Sequence, residues 1–242
     1  MAETGTDPPL LSVEGLHSYY GRAHILSGVS LSVARGEVVV LLGRNGAGKT
    51  TTLKCIMGLV RPAEGRIRFQ DEDIAGAAPY AVCRAGLAYV PEDRRIFTEL
   101  TVMENLEVGR QKPRAGAPEW TPDRLFALFP NLAEMRNRLG GRMSGGEQQM
   151  LTIARSLMGN PSAILLDEPS EGLAPVIVEQ MAQTVRELKA EGLTVILSEQ
   201  NLHFANHVSD RAYIIEKGQI RYEGTMAALA ADEDVRAAYL TV

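Results

Sequence analysis

Glu37-Val38-Val39-Val40-Leu41-Leu42-Gly43-Arg44-Asn45-Gly46-Ala47-Gly48-Lys49-Thr50-Thr51-Thr52-Leu53-Lys54-Cys55-Ile56-Met57-Gly58 is the stretch on which the fold turns. The apolar run after Glu37, rich in valine, has the pattern of a strand buried on both faces. Thr51 to Met57 reads as a helix that closes at Gly58. Between them, Gly43 and Gly48 bracket four residues and are followed by Lys49 and Thr50, the spacing of a phosphate-binding loop. Each residue type has a chemical task. Glycines let successive backbone N–H groups turn toward phosphate oxygens, Lys49 adds a point charge for the β and γ phosphates, and the Thr50 hydroxyl can ligate Mg²⁺.

Farther along the chain stand the carboxylates that such a loop works with. Ala163-Ile164-Leu165-Leu166 reads as a short buried strand ending at Asp167-Glu168. Val178, Met181, Val185 and Leu188 keep the spacing of one helix face, and Leu193-Thr194-Val195-Ile196-Leu197 is a second strand. Strands alternating with helices imply an α/β fold with a parallel sheet. Ligands of such sheets gather at the carboxyl ends of the strands, where Gly43, Asp167 and Ser198 should meet. There Asp167 is expected to organise the Mg²⁺ shell and Glu168 to polarise the attacking water.

Leu10 to Val33 alternates apolar and polar residues in short runs, as antiparallel strands do, with turns at Gly21 and Gly36; residues 1–9 read as a disordered leader. From Val102 to Met143 the pattern becomes short helical segments broken by Pro113, Pro118, Pro122 and Pro130, an inserted helical subdomain.

The chain has 242 residues, 45% hydrophobic and 23% charged, enough for one large domain or two small ones. Its net charge of -5 argues against a dedicated nucleic-acid binder. No apolar run approaches the roughly 20 residues that span a bilayer, and the N-terminus is polar rather than an export signal, so the chain is expected in the cytosol. Cys55 and Cys83 form no CxxC pair and are expected to pack; His203 and His207 lack a third metal ligand and are assigned to a helix face.

The order of phosphate loop, helical insert, Ser144-Gly145-Gly146-Glu147-Gln148 and strand-Asp-Glu resembles the ATP-binding cassette family, over Leu10 to about Gly224. The resemblance implies a P-loop NTPase (RecA-like) core with a parallel sheet, an N-terminal antiparallel β subdomain and an inserted helical signature subdomain. Residues 10–242 would then be one nucleotide-binding domain, with the insert at about 93–158. It implies ATP and Mg²⁺, with Gly43, Asn45, Gly46, Ala47, Gly48, Lys49, Thr50 and Thr51 at the phosphates. Tyr20 would stack on adenine, Tyr19 being its rival. Ser144, Gly145, Gly146 and Glu147, opening a helix that runs to Met158, would contact the γ-phosphate of ATP held by a second cassette, so that two cassettes pack head to tail. Glu92 stands where the family usually carries Gln and Gln200 where it carries His; with Glu168 they form the expected catalytic set, and Glu92 joins Thr50 and Asp167 as a metal ligand. Ala174 occupies the place of an Asp that crosses the dimer interface in many relatives. Since Gln200 does not titrate, the rate is expected to change little between roughly pH 6 and 7.

Glu92 with Arg94-Arg95-Ile96-Phe97, Glu147-Gln148-Gln149-Met150, Glu171-Gly172-Leu173-Ala174-Pro175 and Glu199-Gln200-Asn201 resemble one branch, the ATP-binding subunits of bacterial branched-chain amino acid importers. That implies ATP hydrolysis coupled to transport on the cytoplasmic face of the inner membrane, a different partner cassette, two transmembrane permease subunits and a periplasmic binding protein. A urea or short-amide importer cassette is the alternative within the class. A soluble ATPase acting on ribosomes or DNA is the alternative outside it, disfavoured by a single cassette with no heptad run.

Overall fold

A computed structural model describes residues 8–240; of the expected leader only Pro8 and Pro9 lie inside that range, and both are exposed. In chain order the elements are β1 (Leu11–Tyr20), β2 (Ala23–Val33), β3 (Val38–Leu42), α1 (Lys49–Ile56), β4 (Glu64–Phe69), β5 (Glu72–Asp73), α2 (Pro79–Ala85) and β6 (Leu87–Val90). The helices α3 (Val102–Gly109), α4 (Pro122–Leu128), α5 (Pro130–Glu134) and α6 (Gly145–Leu157) follow. Then come β7 (Ala163–Asp167), α7 (Pro175–Ala190), β8 (Thr194–Glu199), α8 (Leu202–Val208), β9 (Arg211–Glu216), β10 (Gln219–Thr225), α9 (Met226–Ala231) and α10 (Glu233–Tyr239).

One sheet has the order β10-β9-β3-β8-β7-β6, parallel except for β10, which runs antiparallel to β9. It is covered on both faces, which is why β3, β7 and β8 read as unbroken apolar runs rather than alternating ones. Val38, Val40, Leu42, Ile164, Leu166, Val195 and Leu197 enter one core; Val39, Leu41, Leu165 and Ile196 enter the other. The first core continues into Leu106, Trp120, Phe126 and Leu151 of the segment between β6 and β7. The inserted helices therefore share their apolar interior with the sheet.

The second core holds Leu53, Cys55 and Ile56 of α1 and is roofed by a separate antiparallel sheet of order β2-β1-β4-β5. The expected β1-β2 hairpin is present. Its sheet, however, is completed by β4 and β5 from beyond the phosphate loop, so the antiparallel layer is not wholly N-terminal. β4 buries only Ile67 and Phe69 of its six residues and gives a weak sequence signal. Cys55 packs as expected, whereas Cys83 is exposed, because α2 lies on the surface and buries only Val82.

Candidate active site

β3 ends at Leu42 and α1 begins at Lys49, so the glycine loop spans the carboxyl edge of the sheet. Gly46 (φ 78°) and Gly48 (φ 114°) adopt left-handed backbone that other residues enter at a cost. Gly43 is required for a different reason: a Cβ there would lie 2.5 Å from the Ile215 carbonyl oxygen. Lys49 folds back over the loop, where its Nζ donates to the carbonyls of Gly43 (2.7 Å) and Arg44 (3.2 Å) and pairs with Glu168 Oε1 at 3.1 Å. Both side chains of that pair are nearly buried, at 3% and 7% exposure.

Parallel pairing of β7 with β8 sets Asp167 opposite Ser198. Three hydroxyls then converge on the buried Asp167 carboxylate. Thr50 Oγ1 (2.9 Å) and Ser198 Oγ (2.6 Å) donate to Oδ1, and the Tyr89 phenol donates to Oδ2 at 2.8 Å. Burial, then the charge of Asp167, pushes the Tyr89 hydroxyl well above the usual tyrosine range, so it remains a proton donor.

Glu168 adopts φ 47°, unusual for a residue with a side chain, and its N–H donates to the Ser198 carbonyl at 3.0 Å. Gln200 Nε2 donates to Glu168 Oε2 (3.2 Å) and to Asn45 Oδ1 (2.6 Å), tying the loop to the carboxylate. Burial would raise the Glu168 pKa, but the hydrogen bond from Glu171, the Lys49 charge and Gln200 outweigh it and hold the group below the ordinary value. Glu171 moves the other way, to about 7, first through its hydrogen bond with Glu168, then through burial and the charges of Glu168, Glu92 and Glu199. Glu199, raised by burial, accepts the backbone N–H groups of Ser170, Gln200 and Asn201 and so fixes the end of β8.

A cavity of about 480 Å³ lies over this edge, lined by Tyr20, Asn45, Gly46, Gly48, Lys49, Thr50, Thr51, Glu92, Glu168 and Glu171. Ala47, also expected at the phosphates, is buried within the loop. Tyr20 is half-exposed in the cavity wall, while Tyr19 stacks on His24 with ring centroids 4.3 Å apart. A hydroxyl and a carboxylate 2.9 Å apart, Thr50 and Asp167, are hard oxygen donors of the kind Mg²⁺ takes, and a site that also uses phosphate oxygens needs few protein ligands. Glu92 lies in the same wall on the side of Glu171.

Ser144 caps α6: its hydroxyl accepts from the Glu147 N–H, and the Glu147 carboxylate accepts from the Ser144 N–H at 2.7 Å. The Glu147 carboxylate is thus engaged in its own helix cap. Gly146 and Glu147 line a separate cavity of about 320 Å³ bordered by α4, α5 and α7. The phosphate loop, Asp167, Glu168, Gln200, Tyr20 and Glu92 come together in one site; Gly146 and Glu147 do not join it. Tyr89 and Glu171 were not foreseen. Glu171 stands three residues after Glu168 and could have been suspected; Tyr89 is placed only by the pairing of β6 with β7.

Residues 26–171 match the family model described as ABC transporter. The chain is 44% identical to the high-affinity branched-chain amino acid transport ATP-binding protein BraG of Pseudomonas aeruginosa, over 96% of this chain and 99% of that protein. It is 37% identical to the lipopolysaccharide export system ATP-binding protein LptB of Haemophilus influenzae, over 96% and 97%. The crystal structure of the ADP conformation of an ATP-binding cassette of an ABC transporter superposes with a TM-score of 0.80 at 30% identity, covering 96% of this chain and 98% of that one. A chain with this loop, this carboxylate edge and these relatives along its full length belongs to the ABC transporter family, as a subunit that binds and hydrolyses ATP.

Proposed function

We propose that this chain drives a bacterial importer of branched-chain amino acids as one of two cassettes packed head to tail. The observation that carries the reading is the 44% identity with BraG across nearly both whole chains, above the 37% shared with the export protein LptB. The partner cassette is a different chain, and two permease subunits anchor the pair to the cytoplasmic face of the membrane and receive cargo from a periplasmic binding protein. Among the described residues no helix is long and apolar enough to cross a membrane, so anchoring falls to the permeases. Residues 10–242 act as one nucleotide-binding domain, in keeping with the apolar core shared by sheet and helices.

In this reading Tyr20 stacks on adenine, and the loop N–H groups with Lys49 hold the phosphates. Thr50, Asp167 and Glu92 would hold Mg²⁺, which would neutralise charge on the β and γ phosphates. Glu168 takes a proton from the attacking water, and Gln200, bonded to both Asn45 and Glu168, keeps the base aligned with the loop. Ser144, Gly145 and Gly146 offer the N-terminus of α6 to the partner's γ-phosphate.

The test is uptake into vesicles that carry the chain with its partner cassette and permeases. Leucine, isoleucine or valine delivered by the cognate binding protein should raise ATP hydrolysis and accumulate inside. Hydrolysis stimulated by another cargo, or by lipopolysaccharide moving outward, would replace the amino acid reading. A chain recovered only with ribosomes would remove the transporter reading altogether.

A further inference from the structure

Arg94 is set against the helix that carries the signature. The segment after β6 turns through two successive left-handed residues, Arg94 (φ 62°) and Arg95 (φ 51°), a conformation that residues with side chains enter at a cost and hold only where neighbours fix it. Those neighbours lie on α6: Thr152 Oγ1 donates to the Arg94 carbonyl at 2.8 Å, and Arg155 donates to the Arg95 carbonyl at 2.7 Å. From this anchor the Arg94 side chain runs back toward the first turn of α6, where a Cβ on Gly145 would lie 2.6 Å from Arg94 Nη1. The two signature glycines thus make room for different neighbours, Gly146 for Ile177 of α7 and Gly145 for the Arg94 guanidinium. That guanidinium is part-buried and makes no hydrogen bond or ion pair among the described residues, whereas Arg95 beside it pairs with Asp93 at 2.8 Å. A cation at a helix N-terminus meets the positive end of the helix dipole. The acid of that turn, Glu147, has its carboxylate folded back on the Ser144 N–H.

We propose that Arg94 is a further binding residue of the ATPase reaction, which reaches across the paired cassettes to the γ-phosphate of the ATP held by the partner. The inference rests on the head-to-tail reading given above, in which Ser144, Gly145 and Gly146 face that phosphate. A guanidinium with its donors unclaimed, standing beside the free N–H groups of a helix start, concentrates positive charge that an anion with several acceptor oxygens offsets. A terminal phosphate is such a group, and the arginine fork takes two of its oxygens at once. ADP lacks that phosphate and leaves Arg94 unpaired. The contact therefore favours the paired state before hydrolysis and withdraws its support afterwards.

The experiment compares Arg94→Gln with the natural chain in the complex of both cassettes and the permeases, photolabelled with 8-azido-ATP or 8-azido-ADP in the presence of Mg²⁺. The label falls on the chain that holds the base, so the two nucleotides are read separately. In Arg94→Gln the 8-azido-ATP concentration that half-saturates labelling of the partner cassette should rise roughly tenfold or more, the size of one lost charge-assisted contact. Labelling of this chain should shift less, and labelling of the partner by 8-azido-ADP and the thermal midpoint should not change. Arg94→Lys keeps the charge but loses the fork and should give a rise of roughly two- to fivefold. An unchanged half-saturation on the partner in Arg94→Gln, or a shift on this chain as large as that on the partner, overturns the proposal. So does an equal shift with 8-azido-ADP, which would mean that Arg94 meets the partner protein rather than its γ-phosphate. If Arg94→Gln lowers the thermal midpoint, Arg94→Lys decides: no shift in partner labelling sinks the idea. Ser144→Asp separates the two levels, since Asp still caps α6 but sets a negative charge where the phosphate is read to lie. If it leaves partner labelling intact, the head-to-tail reading itself fails; if it weakens that labelling and Arg94→Gln does not, only the role of Arg94 fails.

Discussion

Replacing Glu171 by Gln should remove a pH dependence that the absence of a histidine at position 200 would not lead one to expect. With a pKa of about 7, Glu171 is charged about one-tenth of the time at pH 6 and about nine-tenths at pH 8. While protonated, it hydrogen-bonds to Glu168 and lowers the basicity of that carboxylate; once ionised, its charge raises the proton affinity of Glu168 and makes it the stronger base. Hydrolysis should therefore rise by up to about tenfold from pH 6 to 8. In Glu171→Gln the amide donates at every pH, and the profile flattens. The sign for stability follows from the same shift. A carboxyl whose folded pKa is raised costs nothing below its unfolded pKa near 4.5 and accumulates a cost until pH passes about 7. The unscreened ceiling for such a gap is about 3 kcal/mol, but Glu171 is exposed, so about 1 kcal/mol is the realistic size. Glu171→Gln should then melt about 2–4 °C higher than the natural chain at pH 8 and alongside it at pH 5. Steady-state phosphate release across pH 5.5 to 8.5 and thermal unfolding at the two ends are the assays. A flat profile in the natural chain, or a rise that survives in Glu171→Gln, refutes the coupling of the two carboxylates.

Glu168→Gln should slow phosphate release by about 10²- to 10⁴-fold while ATP stays bound, read by single-turnover hydrolysis and nucleotide retention; unchanged release removes Glu168 as the base. Lys49→Ala strips the partner from a nearly buried carboxylate and should cost about 3 kcal/mol in denaturant unfolding, less where water enters, together with loss of ATP binding. Tyr20→Ala should weaken ATP binding by about tenfold, the scale of one base-stacking contact, whereas Tyr19→Ala should leave it nearly unchanged because that ring stacks on His24; equal effects would mean that adenine sits elsewhere. Gly43→Ala should destabilise the chain by about 2 kcal/mol or more in chemical unfolding, since the new methyl would lie 2.5 Å from the Ile215 backbone carbonyl oxygen and force the backbone to shift.

The phosphate loop, the β7 carboxylates and the parallel sheet were legible because each is a local pattern with one dominant cause. A strand buried on both faces must be apolar throughout, and a loop that wraps phosphate must carry glycine and lysine at fixed spacing. β4 and the four-residue β6 were not legible, since β4 leaves most of its residues exposed and β6 is too short for its period to show. Glu147 shows a different limit. Its type and position signalled the signature, but the same residue is what a capping box requires at the third helical position, and the structure uses its carboxylate there.

The pH expectation drawn from position 200 left one group out of account. Gln200 cannot titrate, as its side chain dictates, but Glu171 is pushed up to about 7, first by its hydrogen bond with Glu168, a neighbour reached through the turn after β7. By itself the sequence determined where the glycine-lysine loop lies, which carboxylates end a strand and which family the chain belongs to, because those properties follow from residue type and spacing. The tertiary structure alone decided that Tyr89 reaches Asp167, that Gln200 bridges Asn45 and Glu168, and that Glu171 lies within hydrogen-bond reach of Glu168. Those contacts join strands and loops separated in sequence by up to 155 residues, and their energies arise from burial and proximity that exist only once the sheet has aligned its edges.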